Sequence, residues 1–383
     1  MEWWIFSDAF LITLFSFITV SISLNLEAGY TGIPNFGKHL FVFVGAFAAQ
    51  GVGVRIAALI YEKLQPQAAQ EALAQLRSMV PGATWSSLVH AAADVDANRI
   101  VVNNYLRPFF VSHVAAEALL LVTLLLVTVG LALFFGLIAS YAALRLREEY
   151  LAILLLSFAE LMVLVVFYQS QSLNGGNQGL WAITFTKDPV RFALVGSGVL
   201  AVIAYFYADR LANSPMGRAM RAVRDDEVAA EVFGRDIASI RLKVILISSV
   251  LAGLAGFFFI QNAALSTSLT FNRVIWTFLP WAMIILGGMA NNLGAVVGTV
   301  VFLLAKRLFE YYQVQIAHLF HLGSASIAAT LLPNIFIGVV MILTLYFLPQ
   351  GILPEGPSRT VNFEEILAET SSEAGEAGGE ESK

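Results

Sequence analysis

Five histidines, His39, His90, His113, His318 and His321, are the residues to weigh first, because an imidazole can bind a metal or carry a proton near neutral pH. None stands in an HExxH arrangement, and His318 with His321 reads as a solvated pair on a loop. The chain has no cysteine, which excludes disulfides, thiolate metal sites and thiol catalysis. It also lacks a GxSxG nucleophile turn and a phosphate-cradling GxxxxGKS/T loop. The sequence therefore predicts no catalytic residue, no metal site and no cofactor, and it carries no nucleic-acid signal. No recognisable nucleotide site in the chain supplies energy for whatever it does.

The densest set of charges runs from Ala208 to Lys243. Seven basic residues lie in it, Arg210, Arg218, Arg221, Arg224, Arg235, Arg241 and Lys243. Read as a short helix, this stretch puts Met220, Val223, Ala230 and Phe233 on one side and Arg218, Arg221, Arg224, Asp225 and Glu231 on the others. An amphipathic basic helix of this kind suits a soluble partner or an anionic lipid surface. A different chemistry belongs to carboxylates inside apolar runs. Glu160 stands at the middle of one such run, where an ionisable group is costly and rarely faces lipid, so it fits a transport path or a buried hydrogen bond. Glu117 lies nearer the end of its run and reads as snorkelling to the interface.

The elements that must position these residues are set by composition. Of 383 residues, 58% are hydrophobic and 13% charged, against about 25% charged in a soluble domain. With a mean hydropathy of +0.75, this is an all-α, polytopic transmembrane helical bundle of about 8–10 spans in a cell membrane. The net charge of -5 says little, since much of the acidity sits in the last twenty residues. The N-terminus carries Glu2 and Asp8 rather than a basic stretch, so its first apolar run reads as a true span.

Residues 1–60 hold the first two spans, Ala9 to Leu26 and His39 to Ile60, separated by Gly29-Tyr-Thr-Gly-Ile-Pro-Asn-Phe-Gly37. Such a break is an ordinary turn or an unwound segment that lines a path. Residues 61–108 form a polar excursion, with helices expected over Gln67 to Met79 and Trp85 to Val95. Residues 109–351 hold the remaining spans. Phe109 to Leu144 is one long span or two short ones; Tyr150 to Phe167 and Phe192 to Tyr207 follow, with the loop Gln169 to Gly179 between them. Then come the island at 208–243, Val244 to Ile260 with a stripe at Ser248, Ala252 and Gly256, Val274 to Phe309 broken at Gly287 to Gly294, and Leu331 to Leu348. Residues 352–383 are an acidic tail expected to be disordered. Nine spans with the N-terminus outside place the island and tail in the cytoplasm and the excursion outside, in line with the charge bias. Gly32-x-x-Asn35-x-Gly37 and Gly288-x-x-Asn291-x-x-Gly294 also look alike, a trace expected of Gly-broken helices in inverted repeats.

Several segments, taken in order, resemble the permeases of branched-chain amino-acid ABC importers, specifically the LivM type. They are Gly29-Tyr-Thr-Gly32, Leu144-Arg-Leu-Arg147, Tyr150-Leu-Ala-Ile153, Asn174-Gly-Gly-Asn-Gln-Gly179, the island from Gly217 to Gly234, Leu251-Ala-Gly-Leu-Ala-Gly256 and Leu286-Gly-Gly-Met-Ala-Asn-Asn-Leu-Gly294. The resemblance implies a membrane subunit that is not itself an enzyme. Its expected partners are two ABC ATPase subunits, a second homologous permease of the LivH kind, an extracytoplasmic substrate-binding protein and the lipid bilayer. An importer of urea or short amides is the neighbouring alternative, and an ion-coupled transporter or channel a more distant one.

The resemblance also gives the island a role in coupling to the ATPase. Gly217, Arg218, Arg221, Arg224, Ala229, Ala230, Phe233 and Gly234 would form the contact, the apolar residues packing and the arginines setting register. Ala229, Ala230 and Gly234 match the Glu-Ala-Ala-x-x-x-Gly pattern of importer loops, with Val228 in place of the glutamate. Tyr30, Thr31, Gly32, Asn35, Glu160, Asn174, Gly175, Gly176, Gly287, Gly288 and Asn291 are the candidates to line the path, their backbone N–H groups suiting a substrate carboxylate. Where such permeases commonly show Ser-Leu-Gly-His, this chain has Asn35-Phe-Gly-Lys38.

Overall fold

The computed structural model describes residues 7–356 except 79, 83, 86–94, 145, 147, 166–178, 267–269, 320–334 and 336–337. The first helix, α1 (Asp8–Leu24), starts where the Ser7 hydroxyl accepts the Phe10 N–H, and it loosens into a π turn over Asn25–Gly29. The next span is built of α2 (Lys38–Phe47), a π turn at Ala48–Val52 and α3 (Gly53–Leu64). Both fall on the apolar runs that hydropathy marks.

The excursion begins with α4 (Pro66–Leu76), which opens on the proline that suits a first helical turn. It ends in α5 (Val95–Ile100), a π turn and α6 (Arg107–Ser112). The expected helix from Trp85 to Val95 lies almost entirely outside the described residues. The long run that follows is one helix, α7 (Val114–Ala143), set off from α6 by the non-helical His113. After it come α8 (Glu148–Leu164) and α9 (Pro189–Ala212). The charged island folds as α10 (Pro215–Asp225) and α11 (Glu227–Val232) and leads into α12 (Ile237–Ala263). A π turn at Val274–Phe278 enters α13 (Leu279–Gly287), and α14 (Asn292–Leu319) and α15 (338–347) complete the bundle. β1 (Leu180–Trp181) and β2 (Leu265–Ser266) pair antiparallel between helix ends.

Among the described residues, six helices are long and apolar enough to cross a bilayer, and three shorter apolar helices lie at 150–164, 274–287 and 338–347. They are not equivalent. The most apolar stretch is 72% buried in the first span, 78% in the second and 67% in α12, but 22% in α7 and 28% in α9. The first three make the interior, and the last two present an apolar outer surface suited to lipid. α2 crosses α12 backbone to backbone, because a Cβ on Gly45 would strike the Gly253 carbonyl and one on Gly256 would strike Val42. Small residues at four-residue spacing allow that approach in a solvent where apolar area gives helices little reason to associate.

The bundle has two distinguishable ends. At one, the break after α1, the α13–α14 turn and the island lie together, since Arg224 reaches the Gly29 carbonyl and the Ala290 N–H reaches Asn25. At the other, Asn98 accepts the Trp181 N–H, Arg107 reaches the Lys187 carbonyl and Glu117 accepts the Thr186 N–H. The excursion and the segment following the glycine-rich loop therefore share the end opposite the island.

Candidate functional site

Three N-caps divide the charged island. Ser214 accepts the N–H groups of Met216 and Gly217, Asp226 accepts that of Ala229 and Asp236 that of Ser239, satisfying first-turn donors that would otherwise lack partners. The single short helix expected here is consequently two. Asp226, extended at φ -159°, separates them. α11 ends where Gly234 takes φ +74° and the Arg235 N–H returns to the Ala230 carbonyl, the left-handed stop that glycine reaches without strain. Gly217 has another purpose, because a Cβ there would collide with the Ala212 carbonyl at the end of α9.

The face expected to pack on a partner packs mostly on the chain itself. Met220, Val223 and Ala230 are buried, whereas Phe233 is 83% exposed and is joined at the surface by Val228 and Val232. Of the four residues that periodicity grouped, the fold turned three inward and left Phe233 outside as part of an apolar patch.

Two of the arginines likewise face the chain itself. Arg221 Nε lies 3.0 Å from Glu355, its guanidinium stacks over the Tyr30 ring at 5.1 Å, and Nη1 donates to the Ala212 carbonyl. Arg224 Nη1 reaches Glu355 at 2.9 Å and the Gly29 carbonyl at 2.9 Å. Two of the three expected register-setting cations, Arg221 and Arg224, are engaged within the chain, and Arg218 remains on the exposed side. Arg241 pairs with Glu227 and donates to the Ala143 carbonyl, tying α11 to the end of α7.

Beneath the island lies a group of charges whose pairing sequence reading did not show. Lys38 Nζ and Glu27 Oε2 are 3.0 Å apart, and both side chains are fully buried. Asn35 donates to the same carboxylate at 3.1 Å, and Lys38 also donates to Ser248. At the next position of α2, His39 meets Thr277 Oγ1 at 3.1 Å and lies 3.8 Å from Glu160, whose carboxylate pairs with Arg273 at 3.2 Å. Asn25 bonds Asn292 at 3.2 Å, joining the π turn of α1 to the start of α14. Lys38 was visible as a departure from the permease pattern. Glu27 was hidden because it sits at the end of an apolar run, where an interfacial position suffices to explain a carboxylate.

The path candidates divide accordingly. Tyr30, Thr31 and Asn35 are buried in the first turn, and Gly32 lies under Arg224 with φ +75°. Gly287 packs on Gly294 and Gly298, while Gly288, at φ +114°, packs on Leu353. Asn291 caps α14 by accepting the Gly294 N–H and donates to the Pro354 carbonyl. Glu160, at 30%, is partly exposed, as are Gly32 and Asn291. Asn174, Gly175 and Gly176 lie outside the described residues. A cleft of about 580 Å³ opens between the island and these turns, lined by Tyr30, Asp209, Asn213, Arg218, Asn292 and Glu355 among others.

A family model described as the permease component of the branched-chain amino acid transport system matches residues 7–345. The chain belongs to that family. This permease is 30% identical over 92% of its length to 94% of the probable branched-chain amino acid transport permease protein LivM of Methanocaldococcus jannaschii. It is 26% and 25% identical to the high-affinity LivM permease proteins of Salmonella typhimurium and Escherichia coli, over 57% of its own length and 54% of theirs. No solved structure matches it. Membership accounts for the multi-pass helical bundle, since the family is described as a transport permease component.

Proposed function

We propose that this permease is the membrane subunit of an ATP-driven importer of branched-chain or related amino acids, and that α10 and α11 are where a cytoplasmic ATPase docks. The observation that carries the docking is the exposed triad Val228, Val232 and Phe233 on a short helix fixed to the bundle. Three exposed apolar side chains within six residues of an otherwise charged surface suit burial by a protein partner. Two ATPase subunits would drive a pair of homologous permeases, this chain and a LivH-like one. ATP-driven closure would then move the helices attached to the island.

The island end faces the cytoplasm in this reading, by the excess of basic residues there, and the opposite end faces outward. The excursion, packed against Trp181 and Lys187, is then placed to contact a substrate-loaded binding protein. Reconstitution with the cognate partners tests the function: labelled leucine should accumulate in proteoliposomes only with ATP on the island side and binding protein on the other. Uptake of urea with exclusion of leucine would transfer the assignment to the short-amide importers. Leucine uptake without ATP would overturn the ATP-driven reading.

A further inference from the structure

The chain leaves its last described span at Pro349 and turns back under the bundle, through a segment beyond the residues matched by the family model. Gly351, at φ +75°, starts the turn. The N–H groups of Ile352 and Leu353 then donate to the carbonyls of Leu286 and Gly287 at 2.9 and 2.8 Å, taking up acceptors that the end of α13 would otherwise leave free. Asn291 donates to the Pro354 carbonyl. One residue later, the Glu355 carboxylate divides its oxygens between Arg221 and Arg224 of α10. Arg224 also holds the Gly29 carbonyl, and Arg221 covers Tyr30.

We propose that residues 350–356 form a strap that makes the island, the α1–α2 turn and the α13–α14 turn one rigid block, with Glu355 as the residue that positions α10 for coupling. The inference rests on the ATP-driven reading. Two independent features support it. The first is electrostatic: hydrogen bonds between a carboxylate and two guanidiniums are stronger than neutral ones and directional, and each of the three side chains is only a quarter to a third exposed. The second is steric, because a Cβ on Gly288 would strike the Leu353 carbonyl and one on Gly351 would strike Gly288, so strap and turn meet along bare backbone. An incidental C-terminal segment would need neither. Through this block a push on α10 reaches α1 and α13 together, instead of being lost in the movement of one loop.

The experiment uses the full chain, reconstituted with its ATPase, partner permease and binding protein, and reads uptake and ATP hydrolysis together. Glu355→Gln should still hydrolyse ATP but lose roughly tenfold in uptake, raising the ATP consumed per amino acid moved, the size expected for loss of one coupling contact. Wild-type uptake by Glu355→Gln would overturn the strap. If that variant fails to assemble with the ATPase, a covalent bridge in place of the Arg221–Glu355 pair decides. The chain has no cysteine, so Arg221→Cys/Glu355→Cys can be bridged by a short bis-maleimide at those two thiols alone. Bridging should restore uptake that the unbridged pair has lost. Failure to bridge, or uptake lower after bridging than before, would show that the strap and α10 part during transport and would overturn it. If the wild-type assembly itself shows no ATP-dependent uptake, the ATP-driven reading fails rather than the strap alone.

Discussion

Glu27 and Lys38 face each other where burying either one alone would be expensive. Both are fully buried at 3.0 Å separation. Removing one partner of such a pair typically costs about 3–5 kcal/mol, whereas replacing both with apolar groups is often nearly neutral. Lys38→Met should therefore lower the unfolding temperature of the purified permease sharply, and Glu27→Leu/Lys38→Met should recover most of it; equal losses would show that the pair is not coupled. Glu160 differs in being partly exposed and held by Arg273, with His39 nearby. Glu160→Leu should reduce uptake much more than Glu117→Leu, whose carboxylate accepts a single backbone N–H from Thr186. Equal, mild effects would return Glu160 to a structural role. At this scale sequence exposes a carboxylate inside an apolar run but not its partners: Lys38, Arg273 and Thr277 reach the site from 11 to more than 200 residues away, and no local spacing reports them.

Helix α10 and its neighbour show what periodicity can and cannot report. It grouped Met220, Val223, Ala230 and Phe233 on one face; the first three are buried and Phe233 is exposed. It did not reveal that α10 breaks from α11, because the Asp226 cap is a competition for backbone N–H groups rather than a change of hydropathy. Nor could it say that the permease itself covers that face, since amphipathicity is silent about what lies opposite. The two glycines that bracket the pair should respond differently. Gly234 has φ +74° with open space around it, so Gly234→Ala should cost about 1 kcal/mol in backbone strain. Gly217→Ala must push α10 away from the Ala212 carbonyl and should lose both folded yield and uptake. Thermal unfolding of the two variants checks this, and a Gly217→Ala protein as stable as Gly234→Ala would contradict the close approach.

For the whole molecule, hydropathy found the spans because lipid demands about 20 apolar residues whatever the tertiary packing. Their arrangement was not legible. α7 and α12 read alike as apolar runs, yet 22% of one is buried against 67% of the other. The difference depends on Gly45, Gly253 and Gly256 meeting across elements. The two-ended arrangement predicts opposite accessibility: in intact cells, a membrane-impermeant thiol reagent should label Gln67→Cys and leave Arg235→Cys unlabelled. Labelling of Arg235→Cys from outside would invert the topology.

The claim on which the rest depends is that the exposed face of α11 is where an ATPase docks. Capture of the cognate ATPase by detergent-solubilised permease carrying Phe233→Asp tests it most directly. Phe233 is 83% exposed, so the substitution should leave the permease folded. The account predicts wild-type unfolding temperature with capture reduced at least roughly tenfold, as expected when a central aromatic anchor is lost. A Phe233→Asp permease that retains the ATPase as well as the wild type does would contradict it.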